Sequence, residues 1–180
     1  MAYRKEKYSR YNSGESFNAD SMKFNSNESY QTLLKERTVY GGGGIIPDHF
    51  VPLDTTCTSA YFNKLIRKGI FNQFALSWVN KNREYLEKKY PNFDKFNSKF
   101  DTQNAVDELI EYAEAEGLEF KEDQYNKAKH VIHTRLKANI AQDLFNYKKF
   151  YQIINDLNNA LEKSLEPVSY THLTLPTTPV

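Results

Sequence analysis

Cysteine is almost missing from this chain: Cys57 is the single one in 180 residues. That excludes an internal disulfide framework and a cysteine-built zinc site. Long apolar runs are missing too, and none approaches the roughly 18 residues a membrane-spanning helix needs. Neither sign of charge is in excess, with 24 lysines and arginines against 23 acids and a formal net charge of +1. Such a balance supplies no electrostatic drive toward nucleic acid or an anionic membrane surface. The first residues are charged and polar, without the apolar stretch of a signal peptide. Glycine is scarce, at seven, and four of those form the single run Gly41-Gly42-Gly43-Gly44. What is present is enough for a core: 39% hydrophobic residues, 14% of the chain aromatic.

Both ends stand apart in composition. Residues 1–28 are rich in Ser, Asn, Lys, Glu and Tyr, show no sustained period of 2 or 3.6, and read as a low-order polar segment. After Glu166 charge disappears, and threonine and proline take over across 167–180. The string from Val168 to Thr177 resembles the translation of a transposon-end sequencing adapter and is expected to pack poorly. The two ends together read as those of a piece of a longer gene.

Between them the pattern changes once. Ser29 to Leu34 and Arg37 to Tyr40 are β-branched and aromatic enough for short strands, with Lys35 and Glu36 at a turn. The glycine run and Ile45-Ile46-Pro47-Asp48-His49-Phe50-Val51-Pro52 follow as extended chain, because a residue before proline is pushed out of the helical region. From Thr55 the period is helical. Thr55, Thr56, Thr58 and Ser59 offer capping oxygens for a helix over Ser59 to Lys68, which Gly69 breaks or kinks. A longer helix carries Ile70, Phe71, Phe74, Ala75, Trp78, Val79 and Leu86 on one face and stops at Tyr90-Pro91. Phe93, Phe96 and Phe100 are expected in a loop. Asp101 or Thr102 then caps a third helix with Ala105, Val106, Leu109, Ile110 and Ala113 inward and Gly117 just past its end. A fourth, from Glu122 to Phe145, turns Tyr125, Ala128, Ile132, Leu136 and Ile140 inward. A fifth, from Lys148 to Leu165, buries Phe150, Ile154, Leu157 and Leu161. The fold expected is mainly α: a helical module over 56–166, preceded over 29–55 by a small β remnant.

Candidate chemistry is sparse. The glycine run lacks the Lys-Ser/Thr of a phosphate loop, since Ile45-Ile46 follow it, and Pro47 argues against the helix a dinucleotide site requires. His130 and His133, three apart on one helix, could share a metal, but no cysteine or carboxylate completes a set and Asp143 is turns away. Glu108, Glu111, Glu114 and Glu116 read as a solvated helix face rather than paired catalytic carboxylates. No histidine is placed to activate Cys57, and a packed thiol is the default. Trp78 with Phe62, Phe71 and Phe74 reads as core rather than as a stacking platform. No Gly-x-Ser-x-Gly or Ser-x-x-Lys motif occurs. Residue chemistry alone therefore assigns no catalytic, cofactor or metal residue.

The run Arg37-Thr38-Val39-Tyr40-Gly41-Gly42-Gly43-Gly44-Ile45-Ile46-Pro47-Asp48 closely resembles the end of the protease core in carboxy-terminal processing (tail-specific) serine peptidases of Bacteroidetes type. There a Gly-Arg-x-Val-Tyr-Gly-Gly-Gly-Gly-Ile-x-Pro-Asp string precedes a helical C-terminal region, and this chain has Glu36 where the family usually shows glycine. Gly69-Ile70-Phe71 through Asn82-Arg83, then Leu136 to Ala141 and Tyr151 to Asn155, are similar in the same order, so the resemblance runs from about Tyr30 to Leu165. It implies a truncated α/β protease core and a parent endopeptidase of the periplasm or cell envelope of a Gram-negative bacterium. Such a parent cuts protein C-terminal regions with a Ser–Lys dyad and binds protein or peptide substrates through protease and PDZ regions. Neither dyad motif nor a PDZ segment has a counterpart in Met1 to Arg37, and Gly41 to Asp48 carry over as structural residues only. The alternative reading of the chain is a non-catalytic helical protein-interaction module.

Overall fold

The computed structural model describes residues 2–15, 17, 18, 21, 29–33, 36, 38–40, 50–52 and 57–174, without the side chains of 2, 3, 6 and 167–174. The chain divides into two compact units, Met1–Asp54 and Thr55–Val180. The glycine run, Thr55 and Thr56 lie outside the described residues.

In the first unit, helix α1 spans Ala2–Asn12, within the segment that the sequence pattern marks as without regular structure. Six of its eleven residues, Ala2, Arg4, Lys5, Glu6, Lys7 and Arg10, are strong helix formers, and no apolar stripe accompanies them, so propensity shows where periodicity does not. From its last turn, Arg10 pairs with Glu15 at 2.6 Å, and Tyr11 meets Phe17 edge-on at 5.1 Å. Strands β1 (Ser29–Gln31) and β2 (Thr38–Tyr40) pair antiparallel, with Tyr30 opposite Val39. All six residues are exposed.

Glu36, in the connection between β1 and β2, holds φ at +48°, and no other described non-glycine residue has a positive φ. Its amide donates to the Thr32 carbonyl at 3.0 Å. A side chain in the left-handed region costs free energy that glycine does not incur. Glu36→Gly is therefore expected to stabilise the hairpin by up to about 1 kcal/mol. The check is amide exchange across β2, where the amides that donate to β1 should slow; unchanged or faster exchange at those amides would refute the strain.

The second unit is helical: α2 (Ala60–Arg67), α3 (Ile70–Lys89), α4 (Phe93–Lys99), α5 (Gln103–Ala115), α6 (Glu122–Leu144), α7 (Tyr147–Ile154), a 3-10 turn at Asn155–Leu157, and α8 (Asn159–Thr174). Of the offered caps, Ser59 is the one used: its Oγ accepts from the Phe62 amide at 3.2 Å. Gly69 supplies the left-handed residue (φ +70°) that lets α2 end and α3 begin in a new direction. Gly117 does the same after α5 (φ +75°), with the Leu118 amide reaching back to the Ala113 carbonyl at 2.9 Å.

Helix α6 is the axis of the unit, packing against α2, α3, α5 and α7. Its expected inward residues are buried, and so are Val131, Ala138, Asn139 and Ala141. Four consecutive buried residues, Ala138 to Ala141, mean that this end of α6 is enclosed on every side, and the small alanines admit close neighbours. On α3 every expected inward residue from Ile70 to Leu86 is buried.

Two further expectations fail. Phe93, Phe96 and Phe100 are not in a plain loop, because Asn92 caps helix α4 through the Lys95 amide (2.9 Å) and puts Phe93 and Phe96 on it. Phe96 is fully buried, stacked on Phe100 at 4.5 Å and edge-on to Tyr90 and Phe145. The single helix expected over Lys148 to Leu165 is broken at Asn158, whose Oδ1 accepts from the Leu161 amide at 3.1 Å and starts α8 afresh. Leu161 is thereby exposed rather than buried. The backbone of α8 runs on to Thr174, through the start of the adapter-like string.

Candidate functional site

The histidine pair separates. His130 is exposed, while His133, one turn on, is half-buried between two hydroxyls. Thr102 Oγ1 lies 2.6 Å from His133 Nδ1, and the Tyr125 hydroxyl lies 2.9 Å from Nε2. Thr102 thus uses its hydroxyl on His133, and Asp101 does the capping by accepting from the Gln103 amide at 2.9 Å. With both ring nitrogens engaged, His133 offers no lone pair to a metal. No group of three or more potential metal ligands occurs among the described residues.

Burial lowers the His133 pKa below its ordinary 6.5. Lys129 and His130 push the same way, against the opposite pull of Asp101 and Asp107. The unfolded chain then takes up the proton first as pH falls. The stability His133 contributes is complete above about pH 6.5 and is lost as pH drops toward its lowered value. Denaturant midpoints measured from pH 7.5 down to 5 should fall for the native chain. The part of that slope owed to this ring should vanish in His133→Gln; an unchanged slope would refute the assignment.

The other candidates are placed plainly. Cys57 is half-buried and packs against the core. Glu111, Glu114 and Glu116 are exposed and Glu108 half-buried, where its Oε1 accepts from the Asn104 side-chain Nδ2 at 3.1 Å. Asp143 is half-buried, its carboxyl raised by burial and lowered by Arg83. Phe62, Phe71 and Phe74 are core, with Phe62 edge-on to Phe71 at 5.9 Å. Tyr61 is buried beside Glu114 and Tyr125; burial first, then those two groups, push its phenol up to about 12, so it stays protonated.

Trp78 belongs to the core and also to a cleft. It is 8% exposed, and its indole Nε1–H is buried without an acceptor. Where α3 ends and α5 begins, it lines a cavity of about 240 Å³ together with Leu86, Tyr90, Phe100 and Ala105. Trp78 meets Phe100 edge-on at 6.2 Å, and Phe100 meets Tyr90 edge-on at 5.7 Å. The rim is polar: Tyr85, Lys89, Lys99, Asp101 and Asn104. Lys89 donates to the Tyr85 hydroxyl at 2.7 Å, and its ammonium lies 5.1 Å and 5.5 Å from the ring centres of Tyr85 and Tyr90. The Tyr85 bond is the main reason its pKa stands above the ordinary lysine value. Sequence reasoning passed over this cleft. The one local signal was Tyr85 and Lys89 at i, i+4; Lys99 and Phe100 come from elsewhere in the chain.

A model of a family of unknown function (DUF8443) matches residues 61–146. No curated protein and no solved structure matches the chain. The matched stretch runs from the first turn of α2 to the start of α7 and includes the cleft residues and His133. No helix among the described residues is long and apolar enough to cross a membrane.

Proposed function

We propose that this chain is the C-terminal part of a carboxy-terminal processing serine endopeptidase, comprising the last strands of the protease core and the helical region that follows. The observation that carries the reading is the glycine string from Arg37 to Asp48 with family-like helical segments after it in the same order. Glu36 adds support, since the position where that string usually has glycine is held in the left-handed region that glycine adopts freely. In the parent, a neutral lysine takes the proton of the serine hydroxyl and backbone amides hold the tetrahedral oxyanion. Those groups belong upstream of the glycine string. The parent acts on protein C-terminal regions in the periplasm or cell envelope, and the helical region serves it without touching the reacting atoms.

The test is the reading frame upstream of the Met1 codon. A serine and a lysine in family-like context are expected there, and a frame lacking them would overturn the proposal. A second expectation is that the chain alone does not hydrolyse peptides. Hydrolysis abolished by changing one of its own side chains would be equally decisive against it.

A second reading, a helical interaction module that acts without catalysis, is favoured by the single core built over α2 to α7 and by the family match confined to it. Residues 56–166 should then unfold cooperatively by themselves; a broad, non-cooperative transition would count against that reading.

A further inference from the structure

The cleft at the α3–α5 corner is built for a ligand that places one large apolar group inside and an anion at the edge. Its floor is aromatic and aliphatic, and Trp78 there is more than nine-tenths buried. Its rim sets two ammonium groups, Lys89 and Lys99, against the single carboxylate of Asp101, a net positive edge. Lys89 is not a freely waving cation. The Tyr85 hydroxyl at 2.7 Å and the faces of Tyr85 and Tyr90 hold it over the mouth. At about 240 Å³ the cavity is smaller than the roughly 300–1,000 Å³ that encloses a drug-sized ligand. The cavity would not enclose a nucleotide or a cofactor, whereas one phenylalanine-sized side chain would fill it and leave the rest of its molecule outside.

We propose that the cleft receives a single aromatic or long aliphatic side chain of an extended peptide, and that Lys89 and Lys99 hold the carboxylate of an adjacent acidic residue. The ligand is thus a protein segment in which a large apolar residue neighbours Asp or Glu. The inference stands on the cleft alone and does not depend on the parentage proposed above.

Trp78 is the sole tryptophan, so its fluorescence reports on the cleft without labelling. The full chain is titrated with acetyl-Gly-Phe-Glu-Gly-amide, with its Phe-Gln and Ala-Glu counterparts, and with sodium phenylacetate. The Phe-Glu peptide should change the Trp78 emission saturably. The Phe-Gln peptide should bind about three- to tenfold more weakly, the scale of one or two exposed ion pairs, and the Ala-Glu peptide should not saturate. In the double variant Lys89→Gln, Lys99→Gln, the preference for Phe-Glu over Phe-Gln should disappear while the thermal midpoint stays as in the native chain. Equal affinity for the Phe-Glu and Phe-Gln peptides would overturn the proposal. So would the absence of a saturable change up to about 10 mM, a concentration beyond even millimolar affinity. Phenylacetate binding as tightly as the Phe-Glu peptide would overturn the peptide assignment in favour of a free aromatic acid.

Discussion

Phe96→Ala is expected to cost about 3–5 kcal/mol of unfolding free energy, the range for deleting a buried ring and leaving its cavity. Phe96 is fully buried, stacked on Phe100 at 4.5 Å and edge-on to Tyr90 at 5.5 Å and Phe145 at 5.6 Å. It connects the end of α3, the short helix α4 and the end of α6. Alanine would take one ring contact from each of Tyr90, Phe100 and Phe145, and rings at the ends of three elements cannot close the gap together without moving backbone. Urea unfolding followed by far-ultraviolet circular dichroism measures the loss. A change under about 1 kcal/mol would mean that α4 does not hold the unit together, since surface changes are usually that small.

Trp78→Ala should be comparably severe, about 3–5 kcal/mol, because the indole is 8% exposed and forms part of both the core and the cleft floor. Trp78→Phe separates two contributions. The indole N–H has no acceptor, so removing it loses no hydrogen bond and relieves an unpaired buried donor. What remains is the lost volume, and the phenylalanine variant should cost well under half of the alanine one. A phenylalanine variant as unstable as the alanine variant would show that Nε1 has an acceptor after all. Both variants are read by urea midpoint with circular dichroism, since the fluorophore is gone.

The phenylalanines of α4 show where reading the sequence stopped. Phe93, Phe96 and Phe100 were visible as apolar residues, but seven residues give too few turns for a helical period to stand out from a loop. The cap at Asn92 becomes recognisable only once its Oδ1 is seen to accept from Lys95. Thr102 is a related case: the oxygen suited to capping is taken by His133, thirty-one positions away, and a local rule cannot foresee so distant a competitor. On α6 the inward stripe was legible from Tyr125 to Ile140, whereas the burial of Ala138, Asn139 and Ala141 depends on the several helices that pack against α6. Leu161 fits an inward position when α7 and α8 are read as one helix, and the break at Asn158 removes it from the core.

By itself the sequence determined the local and the periodic: the mainly α class, the cap at Ser59, the glycines that follow α2 and α5, and the buried face of α3. It also carried the glycine string on which the peptidase proposal rests. Only the tertiary structure decided which hydroxyls enclose His133, that α6 is surrounded rather than one-sided, and that Lys89, Lys99 and Trp78 share one cleft. The reason is physical: periodicity and capping are set by neighbours within about four residues along the chain. A cleft or a buried ring is set by what other helices bring to it across tens of residues.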